Sequence, residues 1–562
     1  MKRIIAVLIA AFTAAAQTHQ HTPPPQSQTV DLARLPPPVH LEGIGQAHIP
    51  ITAKTPQAQE WFDQGLALLH CFWDYEAMRA FEQAARLDPD CAMCHWGLFH
   101  ALDFLGVHDQ AKAELARARD LAPKATDREQ RYIRATVEQE EKKGEEATQA
   151  FIKEMEALEA HYPDDLQARI LLVAGLGGGF DNNGDPYPNT LYAQSILRNL
   201  LHDYPDNAAA NHYWIHAVEA GDHPEWALES AEKLGKLAPA SGHIVHMPGH
   251  IFYRLGDYDR AREIFLQAQQ VDRDYMDAQH VSVKDDWNYP HNLAYLIAAC
   301  AEAGRYREAL QHAAELQGLA DDPDASTNPA FYIVQIGSSA ARLALRFGNW
   351  DDAFAHPMSF GVADKKLGVA ARGYRDGLVA YARGMKAAQS GDLVEAGHQS
   401  DVLDALLWRV SQEKVEQQGS GRDGVVKLLG TASLDLRGTI SADRGDLDKM
   451  HRLFDQAVDQ ERELGYSEPP QYARPESEAL GHALIRAGKY SEARDAFAQE
   501  LHQRPKSGFA LYGVALAWDR EGNKAEAAKA YREFLDAWRN ADRDLPQVKA
   551  AESRLFQLQV VN

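Results

Sequence analysis

The sequence repeats itself with a period of about 34 residues, and no other feature constrains the fold as strongly. In the first repeat, residues 58–89, the small residues Gly65 and Ala77 would allow the two helices to pack closely. Pro89 would end the second helix. The same spacing returns in residues 208–316 and 474–540. A unit of this length cannot bury its apolar face alone and must stack on its neighbours. The period therefore predicts an elongated array of paired helices.

Composition agrees with an all-helical chain and excludes one class of partner. The 562 residues include 81 acidic and 58 basic ones, which gives a formal net charge of −23. A phosphate-rich partner needs a basic surface, so nucleic acid is not expected to bind. Alanine, leucine, glutamate and arginine are abundant and long Val/Ile/Thr runs are missing, which is typical of all-α proteins.

The repeat pattern resembles the tetratricopeptide repeat. Counted from Ala58 as position 1, positions 4, 8, 20, 24, 27 and 32 hold Trp61, Gly65, Ala77, Phe81, Ala84 and Pro89. The resemblance implies an all-α solenoid of antiparallel helix pairs, wound as a right-handed superhelix with a concave groove. It also implies a protein or peptide ligand in that groove. Such solenoids serve many partners, so the resemblance is more specific for fold than for function.

The start of the chain predicts an exported protein, and the chain as a whole divides into four segments. Residues 1–16 read as a signal peptide, with a basic start, a short apolar stretch and small residues at the cleavage site. Residues 17–45 are rich in proline and glutamine, which predicts a disordered linker. Residues 46–420 form the N-terminal and central array, and 421–562 the C-terminal repeats. We expect a periplasmic or secreted bacterial protein without a stable membrane anchor after cleavage.

Histidines recur at fixed positions of two successive repeats. In "HYWIHAVE" and "HIVHMPGHI", position 5 is His212 and then His246, and position 9 is His216 and then His250. Residues four apart share one helix face, so each pair forms a stripe. Other ligand-type residues extend the stripes at positions 2 and 12. The full set of candidate metal ligands is His212, His216, Glu219, His243, His246, His250 and His291.

The resemblance implies that these side chains meet. In tetratricopeptide proteins, positions 2, 5, 9 and 12 of the first helix face the concave groove, so both stripes would line one groove. Imidazole nitrogens suit zinc or copper, and also iron. The set is large enough for one closed site or for two ions. The bland alternative is that the histidines only fill polar groove positions. Nearby candidates for supporting or acid–base roles are His223, Tyr253, His280, Asp285 and Asp286.

Pro248 leaves two interpretations of the second stripe open. A proline inside a helix removes one backbone hydrogen bond and kinks the helix. Alternatively Pro248 is the first helical residue, in which case His243 and His246 lie in the preceding loop.

Three segments also resemble those of a group of exported bacterial repeat proteins. The group shares the patterns DPxCAM…WG, HYxIHA and HxxHMPxHIF. Here they read "DPDCAMCHWG", "HYWIHA" and "HIVHMPGHIF". This resemblance implies the repeat fold and a metal site but no particular reaction.

Two further motifs offer other cofactors. "CAMCH" matches the c-type haem signature, in which Cys91 and Cys94 bond the porphyrin and His95 ligates iron. A disulfide among Cys71, Cys91 and Cys94 fits an oxidising compartment better, and buried free thiols remain a third reading. The pairing, including that of Cys300, stays open. Asp181, Asn183 and Asp185 alternate as in a calcium loop, but no glutamate follows at the required distance.

Three functions compete on this sequence. The favoured one is a metal-binding scaffold that holds a protein or peptide in its groove. The second is a metalloenzyme, a hydrolase or an oxidase, with the histidine cluster as its centre. The third is a c-type haem protein.

Overall fold

The computed structural model describes residues 29–321, 329–356, 358, 364–413, 421–467 and 469–560. The predicted signal peptide, the start of the predicted linker and the boundary at residue 420 lie outside the described residues.

The described chain is helical almost throughout. The α-helices are α1 Pro56–His70, α2 Asp74–Leu87, α3 Ala92–Phe104, α4 His108–Leu121, α5 Asp127–Glu140, α6 Gly144–His161, α7 Leu166–Gly175, α8 Pro188–Asp203, α9 Ala208–Val218, α10 Leu228–Leu237, α11 Gly242–Arg254, α12 Tyr258–Gln279, α13 Asn288–Glu302, α14 Tyr306–Gly318, α15 Pro329–Phe331, α16 Ser339–Arg346, α17 Asp352–Ala355, α18 Asp364–Ser390, α19 Leu393–Ser411, α20 Arg422–Asp443, α21 Leu447–Arg462, α22 Glu476–Arg486, α23 Tyr490–Gln503, α24 Gly508–Glu521, α25 Lys524–Ala537 and α26 Pro546–Val560. A π-helical turn at Tyr332–Ile336 precedes α16.

Successive helices pack against each other as antiparallel pairs. The pairs include α1 with α2, α3 with α4, α11 with α12 and α24 with α25. The first helices of neighbouring pairs also touch, as α9 does with α11 and α11 with α13. The predicted all-α solenoid of helix pairs is confirmed.

Glycine at repeat position 8 packs against the aromatic residue at position 24. A Cβ atom added to Gly65 would lie 2.8 Å from the ring of Phe81. One added to Gly249 would lie 2.3 Å from the ring of Phe265. Such distances are too short for any side chain, so only glycine lets the paired helices approach this closely. The small residues that define the repeat therefore set the helix spacing.

Residues 29–45 lie along the outside of the first helices. The guanidinium of Arg79 donates hydrogen bonds to the carbonyls of Pro36 (3.2 Å) and Pro37 (2.7 Å). The carbonyl of Gly43 accepts a hydrogen bond from the backbone of Ala240 (2.9 Å). This half of the predicted linker is thus tied both to α2 and to the turn before α11.

A second non-helical segment, described at residues 463–467 and 469–475, lies between α21 and α22 and reaches the interior of the array. The guanidinium of Arg342 on α16 donates to the carbonyls of Pro470 (2.9 Å) and Gln471 (2.8 Å). Arg474 at its end forms a buried ion pair with Asp435 (3.0 Å). Within the described ranges, none of the helices combines the length and the apolar character that a membrane crossing requires.

Candidate metal centre

The histidines lie on the first helices of three successive pairs, α9, α11 and α13. Asn207 caps α9 by accepting a hydrogen bond from the backbone of Ala210 (2.8 Å), and Ser241 caps α11 in the same way. Pro248 lies inside α11, which begins at Gly242. The interpretation that made Pro248 the first helical residue is therefore wrong, and His243 and His246 are both helical.

Three ring nitrogens converge in the first triad, His212, His216 and His243. The Nε2 atom of His212 lies 3.0 Å from Nε2 of His216 and 3.1 Å from Nε2 of His243. One helix supplies the i, i+4 pair, and the start of the next first helix supplies the third ring.

The second triad, His246, His250 and His291, repeats this arrangement one helix pair later. The Nε2 atoms of His246 and His250 are 2.6 Å apart. Each of the three residues offers a ring nitrogen within 4.8 Å of the others. Again α11 supplies the i, i+4 pair, and the start of α13 supplies the third ring. The triads adjoin, since the ring centroids of His243 and His246 are 6.0 Å apart.

In the first triad, each Nδ1 atom faces an oxygen acceptor. Nδ1 of His212 donates to the carbonyl of His70 (2.7 Å), a free carbonyl at the end of α1. Nδ1 of His216 donates to Oε1 of Glu219 (2.7 Å). Nδ1 of His243 faces Oδ1 of Asn288 (3.3 Å). The amide of Asn288 is held in this orientation because its nitrogen donates to Oδ2 of Asp272 (2.8 Å).

The second triad uses the same device. Nδ1 of His246 donates to Oδ1 of Asn292 (2.7 Å), whose nitrogen donates to the carbonyl of Phe265 (2.8 Å). Nδ1 of His250 donates to Oε2 of Glu219 (2.6 Å). Glu219 therefore orients one ring in each triad with its two oxygens.

These contacts decide which nitrogen carries the proton. A neutral imidazole has one N–H, so a ring that donates from Nδ1 presents a lone pair at Nε2. Burial lowers the pKa of His212 to about 3 and that of His246 well below its usual 6.5, so both rings are neutral at pH 7. Lone pairs that face each other at about 3 Å repel. A cation between them would turn this repulsion into coordination.

The spacing suits a transition metal. With metal–nitrogen bonds of about 2.0–2.1 Å and tetrahedral angles, ligand nitrogens lie about 3.3 Å apart. Two of the three separations in the first triad, 3.0 and 3.1 Å, are within 0.3 Å of this spacing. The 2.6 Å pair of the second triad would have to open by a small ring rotation. Metal-bound histidines are usually supported by an oxygen acceptor that contacts the ring nitrogen opposite the metal.

The histidines are more enclosed than the sequence predicts. The resemblance places them on an open concave groove, but His212, His246 and His250 are 0 % exposed. The turn after α1 and the start of α13 cover them. His216 and His291 alone among the six line an adjoining cavity of about 910 Å³. The site is thus a buried centre beside a cavity.

Glu219 has a different place from the one the sequence predicts. It belongs to neither triad, because both its oxygens contact Nδ1 atoms instead of joining the Nε2 atoms. Its role is to orient the two rings.

Of the residues predicted to support the site, only Asp286 and Tyr253 are buried. Burial raises the pKa of Asp286 to about 7. The ring of Tyr253 packs on Tyr295, which itself contacts His250. Asp285 lies in a short turn before α13. The other two point away from the triads: His223 pairs with Glu225 at the surface, and His280 caps the end of α12.

Sequence reasoning missed Phe72, whose ring covers the first triad. Its centroid lies 4.6 Å from that of His212, 5.5 Å from His216 and 5.4 Å from His243. Phe72 has φ 54°, a left-handed conformation that costs a non-glycine residue about 1–2 kcal/mol. Corresponding turns of other pairs use glycine, as at Gly106 and Gly256. In the sequence, this role could have been recognised from the phenylalanine at position 72, where the corresponding turns of other helix pairs have glycine.

The cysteines do not present a haem site. Cys91 and Cys94 form a disulfide with each other and are fully buried, so neither offers a thiol to a porphyrin. Nδ1 of His95 contacts Glu114 (2.6 Å). The structure therefore supports the disulfide alternative, while Cys71 and Cys300 are buried free thiols.

The Gly-rich loop before α8 has no calcium arrangement either. Oδ1 of Asp181 accepts backbone hydrogen bonds from Asn183 (2.8 Å) and Asp185 (3.0 Å). The alternating residues close a turn.

Comparison with known proteins identifies the repeat. A family model described as tetratricopeptide repeat matches residues 244–275, which span most of α11 and α12. No curated protein matches the chain.

Several solved structures share the general architecture at low identity. The human IFIT1 dimer with m7Gppp-AAAA is 14% identical, with 80% of this chain and 90% of that chain covered and a TM-score of 0.35. Yeast Tom70 is 14% identical, with 90% and 96% covered and a TM-score of 0.29. The APC/C hetero-tetramer Cut9–Hcn1 is 14% identical, with 90% of each chain covered and a TM-score of 0.30. Superposition at this level adds nothing to the fold assignment, which stands on the chain's own helix pairing. The chain therefore carries a tetratricopeptide repeat within an all-α solenoid of antiparallel helix pairs.

Proposed function

We propose that this protein binds two transition-metal ions, one in each histidine triad. The observation that carries the proposal is the convergence of ring nitrogens in each triad, with the Nδ1 atoms of five of the six rings facing oxygen acceptors. A histidine that merely filled a polar position would have no reason to present its free nitrogen to two others.

The donor set narrows the metal. Neutral imidazole nitrogens suit zinc, copper and iron, whereas calcium and magnesium require oxygen ligands. Zn²⁺ and Cu²⁺ are the first candidates. Each triad supplies three ligands, which leaves a fourth position open on each ion.

The surrounding array supports a scaffold role. Tetratricopeptide arrays generally bind protein partners on their extended surfaces. We place this protein in the exported bacterial group that shares the HYxIHA and HxxHMPxHIF patterns, as a periplasmic or secreted scaffold that holds a protein or peptide partner.

The adjoining cavity favours a second candidate, a metalloenzyme. The rings of His216 and His291 line both their triads and the cavity, so an open metal position there would face bound molecules. A three-histidine ion with an open position can bind and activate water, which is the basis of hydrolytic chemistry. An oxidase would use the same open position for a different co-reactant.

Elemental analysis of the tag-free, full-length protein tests the metal proposal. We expect about two ions per chain. A variant with His216→Ala and His250→Ala should lose both, because each triad loses a ligand, while helical content by circular dichroism stays near that of the wild type. The matched control replaces two exposed histidines, His161→Ala and His202→Ala, and should keep both ions. A wild type purified without metal that also fails to take up Zn²⁺ or Cu²⁺ would refute the proposal.

A further inference from the structure

The cavity beside the triads has the size of a small-molecule site. Its volume of about 910 Å³ lies in the range of ligand pockets in proteins. Apolar side chains, several of them aromatic, form much of its wall, which also contains the buried carboxyl groups of Asp74 and Glu219. The residues that matter here are Phe72, Asp74, Trp96, Phe99, Tyr213 and Trp287.

Asp74 is the unusual member of this wall. It is 3 % exposed, yet its carboxyl group has neither a hydrogen bond nor an ion pair with any residue in the described ranges. Its neighbour Glu76, also buried, pairs with Arg79 (2.5 Å). Burial raises the pKa of Asp74 to about 7. A buried carboxylate without a partner is strongly unfavourable, so one is expected to meet its counter-ion in a ligand.

The net negative charge of the cavity wall indicates that the ligand is positively charged. Among the described lining residues the acidic side chains outnumber the basic ones. The acidic residues are Asp74, Asp103, Glu140, Glu219 and Glu463, whereas Lys284 is the single lysine in this lining. A carboxylate or phosphate ligand would be repelled by such a lining, whereas a cation is attracted. The faces of tryptophan and phenylalanine rings add to this attraction for organic cations.

We propose that the cavity binds a small organic ammonium ion. Its charged group pairs with the carboxylate of Asp74, and its apolar body packs on the rings of Phe72, Trp96 and Trp287. Asp74 belongs to neither group of side chains that could hold a metal ion, whereas an alkyl- or arylammonium needs only one carboxylate beside aromatic rings. The inference rests on the side chains of the cavity wall, and the titrations below are made with and without bound metal, because an ion in either triad would add positive charge beside His216 and His291.

Isothermal titration of the full-length protein with three matched probes tests the charge requirement. The probes are 2-phenylethylammonium, the neutral 2-phenylethanol and the anionic 3-phenylpropionate, which share a phenyl ring and differ in charge. We expect the cation to bind at least about tenfold more tightly than the alcohol, and the anion to bind most weakly. Equal affinity for the cation and the alcohol would overturn the proposal.

Two variants locate the interaction. Asp74→Asn keeps the shape of the side chain and should weaken binding of the cation at least about tenfold while leaving the alcohol unaffected. The control Asp206→Asn removes an exposed charge away from the cavity wall and should change affinity less than about twofold at physiological salt. Unchanged binding of the cation to the Asp74→Asn variant would refute the role of this residue.

If Asp74→Asn does not fold, a cavity-filling variant decides instead. Ala174 is an exposed residue of the cavity wall, and Ala174→Trp should abolish binding of the cation. Ala498→Trp, at an exposed helical position far along the chain in α23, should bind it as the wild type does. Binding that survives Ala174→Trp would place the cation elsewhere. Metal content is measured separately, so a failure of the metal proposal leaves these outcomes unchanged.

Discussion

Two of the buried polar regions of the array satisfy their polar atoms in opposite ways. One is the pair of histidine triads. The other, which we call the charge cluster, is formed by Glu302, Arg346 and Glu478. Arg346 contacts Glu302 through Nε (3.0 Å) and both oxygens of Glu478 through Nη1 (2.9 Å each). Ser507 donates a further hydrogen bond to Glu302 (3.0 Å).

The comparison distinguishes a buried polar region whose charged groups are paired within the protein from one whose ring nitrogens face one another. In the charge cluster each carboxylate meets a donor from the protein itself, so the arrangement is closed. In the triads five of the six Nδ1 atoms face oxygen acceptors, whereas Nε2 atoms of neighbouring rings face one another at 2.6–3.1 Å. The first region links helices within the fold, whereas we propose that the second binds metal ions.

The substitution Arg346→Ala, which disrupts the charge cluster, is expected to have the largest effect on stability. The variant leaves two carboxylates buried without their cation, and removing one partner of a buried ion pair costs about 3–5 kcal/mol. We expect a correspondingly large fall in the free energy of unfolding, measured by urea denaturation. The exposed Arg539 pairs with Asp536 at the surface, and Arg539→Ala should cost less than about 1 kcal/mol. A small effect of Arg346→Ala would show that water or a rearranged neighbour replaces the guanidinium.

Single-triad variants come next. His243→Ala removes a ligand of the first triad only, and His291→Ala one of the second only. Each should lower metal content by one ion per chain, through a loss of affinity of at least about 100-fold at the damaged site. Metal titration of the apoprotein measures both. If either variant loses both ions, the six histidines form one site instead of two.

Glu219→Gln should weaken both sites together. It keeps the size of the side chain but replaces the carboxylate that accepts from His216 and His250. Loss of such an outer contact typically lowers metal affinity about 10–100-fold. Competition against a chelator of known affinity provides the measurement. Glu225→Gln, which alters the surface pair with His223, is the control and should leave both affinities unchanged.

The smallest expected effect is a pH dependence from His100, a partly buried histidine of the cavity wall outside both regions. Burial lowers the pKa of His100 to about 3. Above pH 6.5 the ring is neutral in both the folded and the unfolded chain, so it adds no pH dependence. As the pH falls from 6.5 toward 3, the unfolded chain takes up a proton that the folded chain does not, and stability is lost by at most about 1.4 kcal/mol per pH unit.

His100→Gln should therefore narrow the difference in unfolding free energy between pH 7.5 and pH 5. Urea denaturation at the two pH values, in the wild type and the variant, measures it. An unchanged difference would mean that the folded chain protonates His100 without penalty.

The sequence predicts the repeat fold because its signals are local. A glycine at position 8 and an aromatic residue at position 24 lie within one pair of helices, and Gly249 and Phe265 meet as the pattern requires. The convergence of the histidines is also predictable, since the repeat length puts His212 and His246 at the same position of neighbouring helices.

The details of the site depend on contacts that no local pattern contains. The sequence groups His243 with His246 and His250 because they share a helix, but the structure joins His243 to the helix before it. The hydrogen bond from His212 to the carbonyl of His70 spans 142 residues. The charge cluster could not be predicted from the sequence for the same reason, since Arg346 and Glu478 are 132 residues apart.

One consequence follows from the position of α11 between the two triads. Repeat arrays lengthen and shorten in evolution by gaining or losing whole helix pairs, each of which contacts only its neighbours. Here α11 supplies His243 to one triad and His246 and His250 to the other, so deleting or duplicating that pair would dismantle both at once. Homologous chains should accordingly differ in repeat number only outside Ala208–Glu302, and an engineer who wants a longer or shorter version should make the cut elsewhere.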